Sequence, residues 1–228
     1  MICDNGCLSC GSFSKSVFSS IERNIVSQKA FSNVVEINFK KGQDVFNEGS
    51  AVKGVFCIRN GKVKVFRNCE AKNITLSLAG NSDLIGFTGL LNGATYINSA
   101  KCLEDSEICF FPKSIFLDIL LSSNELQLTL LKRSSYENYC ISNFIKVLKC
   151  KNMRSRVANA LFEVNKKFGL DENNCLNICL TRKEIAELSG TTTESVIRIL
   201  NDLKKEKIVD FVNNRIKLLD INKLQFYL

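Results

Sequence analysis

Apolar and polar positions divide the chain into three regimes. Between Val34 and Phe111 the apolar residues fall in short runs of β character: Val34-Val35-Glu36-Ile37-Asn38-Phe39, Gly54-Val55-Phe56-Cys57-Ile58 and Lys62-Val63-Lys64-Val65-Phe66. Ile74-Thr75-Leu76-Ser77-Leu78 and Glu107-Ile108-Cys109-Phe110-Phe111 complete the set, with Gly42, Gly49, Gly61 and Gly80 between or beside them. Many short strands with frequent turns predict a sandwich or jelly-roll barrel. From Lys113 the period becomes helical: Ile115, Phe116, Ile119 and Leu120 fit one short helix. Asn124 to Lys149 then runs without Gly or Pro, longer than a usual globular helix. Its apolar positions Leu126, Leu130, Cys140, Phe144 and Val147 suit a two-helix seam across a dimer, or a helix laid on its own barrel. Phe18 to Val26 reads as a further short helix, after a Gly/Ser/Asn-rich arm.

The third regime carries the most information. Arg154 to Phe168 is amphipathic, through Val157, Ala158, Leu161 and Val164, and Gly169 is placed to end it. Thr181 followed by Glu184 forms a capping-box pattern ahead of Ile185, Ala186 and Leu188. Ser189-Gly190-Thr191 makes a turn, and Val196, Ile199, Leu200 and Leu203 give the next helix its inward face. Thr192, Thr193, Glu194, Ile197 and Arg198 are left to face outward. Ile208 to Leu219 reads as a β-hairpin turning at Asn213-Asn214. The expected element is a winged helix-turn-helix whose second helix enters the major groove of double-stranded DNA. Arg198 suits guanine and Glu194 suits cytosine N4. Hydroxyls and N–H groups of Thr191, Thr192 and Thr193 suit phosphate oxygens, with Arg182 and Ile197 completing the DNA-facing set.

The expected architecture is therefore α+β. Residues 1–17 form a cysteine-containing arm, 18–121 a sensor β-barrel, 122–150 a dimerisation helix and 151–228 the winged helix-turn-helix domain.

Charge and composition modify this picture only slightly. The net charge is +8, and residues 150–228 carry 14 basic and 10 acidic side chains, a surplus compatible with a polyanion. Histidine is absent, which removes His-ligated metal and His-based acid–base catalysis. No nucleophile–base set or phosphate-binding Gly-Lys-Ser/Thr loop is present, so no enzymatic activity is expected. No secretory signal or membrane-length apolar run is visible, and a cytoplasmic location is expected. There are 11 cysteines. Cys57, Cys69, Cys102, Cys140, Cys150, Cys175 and Cys179 read as small buried apolar residues.

These features together resemble the Crp/Fnr family of bacterial transcription regulators over nearly the whole chain. Glu194 and Arg198 match the spacing of a Glu and Arg in that family's recognition helix, and imply a half-site with a TGA-like core. Ile197 stands where cyclic-AMP-binding members tend to carry Gly and oxygen-sensing members Ser. Lys41-Gly42-Gln43-Asp44-Val45-Phe46-Asn47-Glu48-Gly49 and Ile58-Arg59-Asn60-Gly61-Lys62-Val63 resemble the barrel's glycine-punctuated strands. Leu84-Ile85-Gly86 resembles the phosphate-cassette turn. However, Phe87 replaces the ribose-binding Glu, and Asn98-Ser99 replaces the Arg-Ser of the cyclic-phosphate site. A buried phosphate would lack its charge partner, so cyclic AMP is not expected as ligand.

Cys3, Cys7 and Cys10 in the arm, with Cys109 on the last barrel strand, resemble the oxygen-sensing branch. That resemblance implies a [4Fe–4S] cluster on these four thiolates. Counting from Cys7 and Cys10, the family's third arm ligand falls at Ser16, so Cys3 would replace it. A thiol–disulfide switch, zinc on four cysteines and no site at all are the competing readings. The resemblance further implies a homodimer that works with RNA polymerase.

Overall fold

The computed structural model describes Ser16, Phe18, residues 33–70 and residues 72–227. The expected helix from Phe18 to Val26 and the arm cysteines Cys3, Cys7 and Cys10 lie outside these, apart from Phe18 itself. By contacts the chain forms two compact units, Met1–Asn68 with Ala79–Tyr139, and Cys69–Leu78 with Cys140–Leu228.

The expected β runs form strands β1 (Val35–Phe39), β3 (Gly54–Asn60), β4 (Val63–Cys69), β5 (Lys72–Ala79) and β8 (Ser106–Pro112). Three further strands complete the set: β2 (Asp44–Phe46), β6 (Leu84–Ile85) and β7 (Ser99–Cys102). They are two to four residues long, too short for alternation to mark them. A short helix, α1 (Phe87–Asn92), follows β6 at once. The strands build two four-stranded sheets, β1-β8-β3-β6 and β2-β7-β4-β5. This is the expected jelly-roll arrangement.

Aromatic rings fill the space between the sheets. Phe46 stacks on Tyr96 at 4.3 Å between centroids and lies 5.5 Å from Phe56, which in turn lies 5.0 Å from Phe110. The Tyr96 hydroxyl donates to the Gly54 carbonyl at 2.7 Å, so this buried ring leaves no unsatisfied polar group. Phe87 is buried as well.

Helix α2 (Lys113–Ser122) closes the barrel through Phe116, Ile119 and Leu120. Helix α3 (Asn124–Cys150) runs for 27 residues. Leu126 and Leu130 are buried in the barrel core rather than lining an outward seam, and Arg133 pairs with Asp83 at 3.1 Å. Cys140, Phe144 and Val147 are half-buried. A second apolar stripe on the same helix stays open, with Leu131 67%, Tyr139 67% and Ile145 55% exposed, together with Leu128. Periodicity alone cannot say which of two stripes meets its own domain.

Helix α4 (Met153–Phe168) is capped by Asn152, whose side chain accepts from the Ser155 N–H, and ends at Gly169 with φ 73°. Helices α5 (Arg182–Ser189) and α6 (Thr193–Lys205) follow, then the hairpin β9 (Val209–Val212) and β10 (Arg215–Leu218), and the short α7 (Ile221–Gln225). Among the remaining cysteines Cys57, Cys102 and Cys175 are buried as expected, but Cys69, Cys150 and Cys179 are exposed. The last three occupy a strand end, a helix end and a loop, where no core is available. Among the described residues no helix is long and apolar enough to cross a membrane.

Candidate nucleic-acid interface

Helix α5 starts where the sequence places it. The Glu184 carboxylate accepts from the Thr181 N–H at 2.7 Å, and the Thr181 hydroxyl accepts from the Glu184 N–H at 3.2 Å. Two of the helix's unpaired donors are satisfied by this reciprocal cap. Ile185 and Ala186 are buried, whereas Leu188 is only half-buried. Glu187 and Ser189 are buried with them, which hydrophobic patterning did not mark; the Ser189 hydroxyl donates to the Ile185 carbonyl at 2.7 Å.

Gly190 makes the turn in the left-handed conformation, φ 59° and ψ 39°. A side chain there would be strained, and its Cβ would meet the Leu148 side chain at 2.4 Å. The Arg156 guanidinium donates to the Gly190 carbonyl at 3.0 Å. Neither Leu148 nor Arg156 carried a local sequence signal, because both meet the turn across a long sequence gap.

Helix α6 is capped by Thr192, whose hydroxyl accepts from the Ser195 N–H at 3.2 Å. Val196, Ile199, Leu200 and Leu203 are buried and fix the helix by one face. The opposite face exposes Glu194, Ile197 and Arg198. Hydrogen bonding by its own backbone N–H, then by the Thr192 hydroxyl, holds the Glu194 carboxyl below the usual range. Glu194 is thus an anion and acceptor throughout the neutral range.

The three threonines do not behave alike. Thr192 and Thr193 are half-exposed at the helix start. Thr191 turns its hydroxyl inward, where it is buried without a hydrogen-bond partner, and its N–H donates to Ala186. It therefore presents neither group to a phosphate. The left-handed turn at Gly190 directs Thr191 toward the domain interior.

Arg182 is placed between the helix pair and the hairpin. Its guanidinium lies over the Phe211 ring at 4.5 Å, and Lys204 approaches the same ring at 5.3 Å. Burial pulls the Arg182 pKa down from its usual value, although the group stays charged at neutral pH. The hairpin turns at Asn213 and Asn214, with φ 48° and 64°, between the opposed Val212 and Arg215. Two positive φ values in a two-residue loop match the strand twist. Arg215 is tied back by an ion pair to Asp171.

In the barrel, Phe87 follows Gly86 at the start of α1, and Asn98-Ser99 leads into β7. Phe87 is buried in the barrel core, and the Ser99 hydroxyl accepts from the Glu48 N–H at 3.0 Å. Among the described residues no group of three or more Cys, Asp or Glu side chains gathers around a metal-sized space. Cys109 is buried on β8.

Comparison with known proteins agrees with this layout. A cyclic nucleotide-binding domain matches residues 36–123, and a Crp-like helix-turn-helix domain matches residues 155–227. Electron transport regulator A of Shewanella oneidensis is 26% identical over 81% of this chain and 75% of its own length. The fumarate and nitrate reduction regulatory protein of Vibrio cholerae is 27% identical over 79% of this chain and 73% of its own. The anaerobic regulatory protein of Bacillus subtilis is 23% identical over 82% of each. FixK2 from Bradyrhizobium japonicum shares the fold with a TM-score of 0.76 at 19% identity, over 85% of this chain and 96% of that one. A CooA mutant from Carboxydothermus hydrogenoformans gives 0.72 at 25% identity, over 92% and 93%.

Proposed function

Because the chain belongs to the Crp/Fnr family, with a cyclic nucleotide-binding-type barrel followed by a Crp-like helix-turn-helix, we propose that it is a dimeric, sequence-specific DNA-binding transcription regulator. The observation that carries this reading is the division of α6 into a buried apolar face and an exposed face bearing Glu194 and Arg198. Arg198 donates two hydrogen bonds to guanine O6 and N7, and Glu194 accepts from cytosine N4. Thr192 and Thr193, with the N–H groups of the first turn, hold phosphate oxygens. Arg182, its guanidinium over the Phe211 ring, joins the DNA-facing set from the start of α5. Two copies joined along α3 offer two such helices about one DNA turn apart, roughly 34–36 Å. RNA polymerase is the further partner, and the site of action is the cytoplasm.

Salt dependence tests the DNA reading without knowledge of the operator. A dimer neutralising about six to ten phosphates loses roughly 10³–10⁵ in affinity between 50 and 200 mM salt. Fluorescence anisotropy with a labelled duplex is expected to follow that slope. An affinity that does not change with salt would remove DNA as the partner.

For the signal, the aromatic filling of the barrel speaks against a cyclic nucleotide: Phe87 takes the ribose carboxylate's position and no arginine stands at the phosphate position. The signal reading we propose instead is a thiolate-bound iron–sulfur cluster. Cys109 lies on the sheet where Phe18, near the arm, stacks on Phe111 at 4.6 Å between centroids. Cys109 supplies the barrel thiolate, and Cys3, Cys7 and Cys10 are the pool from which the arm supplies the others. When bound, such a cluster supplies a centre that oxygen or nitric oxide can oxidise or dismantle. Its presence and loss would shift the population of DNA-competent dimers through packing of the arm, barrel and α3.

A further inference from the structure

Among the side chains that α6 exposes, Glu194, Arg198, Asn201, Lys204 and Lys205 are charged or polar, and Ile197 alone is apolar. Its relative exposure is 46%, although Val196 before it and Ile199 beyond Arg198 are buried. Packing does not require an isoleucine there, because Val196, Ile199, Leu200 and Leu203 already fix the helix. Helix propensity does not favour it either. A β-branched side chain loses rotamer freedom against the preceding turn, so alanine or lysine would suit an exposed helical position better. Glu194 stands three residues before Ile197 and Asn201 four after, and Arg198 lies beside it with the same two neighbours. Ile197 thus sits within the polar row rather than at its margin. Helical side chains lean toward the N-terminus of their helix, and the N-terminal turns of a recognition helix are those that meet base edges.

The major groove offers such a row hydrogen-bond donors and acceptors, and the 5-methyl group of thymine is the apolar feature among them. Set against the edge of a G·C pair, Ile197 would cover polar groups that lose water and gain no partner. Set against a thymine methyl, it removes apolar surface from water on both sides of the contact. We infer that Ile197 is a specificity-determining residue that packs on the 5-methyl group of a thymine next to the guanine taken by Arg198. This inference rests on the reading of α6 as the helix in the groove. It adds an A·T pair to the G·C pair that Glu194 and Arg198 read. Cytosine in the same place presents no methyl group and an N4 donor that an isoleucine leaves unpaired.

The test uses the full chain, as parent, Ile197→Ala and Ile197→Val, with operator duplexes that the parent selects from random sequence. Each thymine is replaced in turn, in both half-sites, by deoxyuridine, which lacks the 5-methyl group and keeps every hydrogen-bonding atom. At the thymine beside the guanine the parent is expected to lose roughly fourfold in affinity per half-site, and roughly 15-fold over the two. That is the ratio implied by withdrawing one methyl-sized group from a buried contact. Ile197→Ala is expected to bind the thymine duplex more weakly by a similar factor and to be nearly indifferent to deoxyuridine, the signature of a coupled pair. Ile197→Val, which keeps two branched methyl groups, should retain most of the parent's sensitivity. Both variants should melt at the parent's temperature, since the position is exposed. A parent equally tight with deoxyuridine at every thymine overturns the inference, and so does an Ile197→Ala protein that keeps the parent's full sensitivity. In either case a parent that still prefers its operator over scrambled DNA leaves the DNA-binding proposal standing. A parent that prefers no duplex overturns that proposal and this inference together.

Discussion

Replacing Arg198 by alanine is expected to reduce sharply the discrimination between a specific operator and scrambled DNA. The guanidinium stands on the exposed face of α6, one turn after Glu194, and neither residue is needed to hold the helix in place. Loss of one bidentate guanine contact costs about 1–3 kcal/mol. A symmetric dimer loses it in both half-sites, so the specific complex weakens by about 2–6 kcal/mol, roughly 30-fold to above 10⁴-fold. Binding to scrambled duplex changes much less, because it depends on phosphates rather than bases. Melting should stay at the parent's temperature, since Arg198 lies outside the packed face. Anisotropy titrations against both duplexes read the result. Undiminished preference for the operator would show that α6 does not read the groove as assigned.

The second large effect concerns α3. Leu128, Leu131, Tyr139 and Ile145 are exposed along one side of the helix, and Leu131 with Ser135, Tyr136 and Tyr139 lines a shallow recess there. An apolar stripe along a 27-residue helix is a self-complementary seam when two copies align. Leu131→Glu combined with Ile145→Glu would bring four unpaired carboxylates into that seam. Leaving charges buried and uncompensated costs at least about 3–5 kcal/mol, which raises the dimer dissociation constant by roughly 10²–10⁴. Analytical ultracentrifugation should find monomers at concentrations where the parent is dimeric, and affinity for a two-half-site operator should fall with it. A double variant that sediments as the parent does would place the dimer contact elsewhere.

Sequence reading recovered what local chemistry dictates. The Thr181–Glu184 box, the left-handed Gly190, the four-residue apolar stripe of α6 and the Asn213-Asn214 hairpin turn each depend on neighbours within a few positions. The short strands β6 and β7 were not legible, because their pairing is set by partners tens of residues away. Leu126 and Leu130 fitted a dimer seam equally well by period, and only the position of the barrel reveals that they belong to its core. Thr191 carries a side chain suited to phosphate, yet the turn before it points the hydroxyl inward.

Selection of bound duplexes from a pool of random sequence tests the central claim most directly, since it presupposes no operator. The account predicts enrichment of an inverted repeat, two half-sites with a TGA-like core whose centres lie about 10–10.5 base pairs apart or a multiple of it. Loss of the enriched motif on introducing Arg198→Ala would tie it to α6. A bound pool indistinguishable from the input, or a single unrepeated motif, would contradict a dimeric helix-turn-helix regulator.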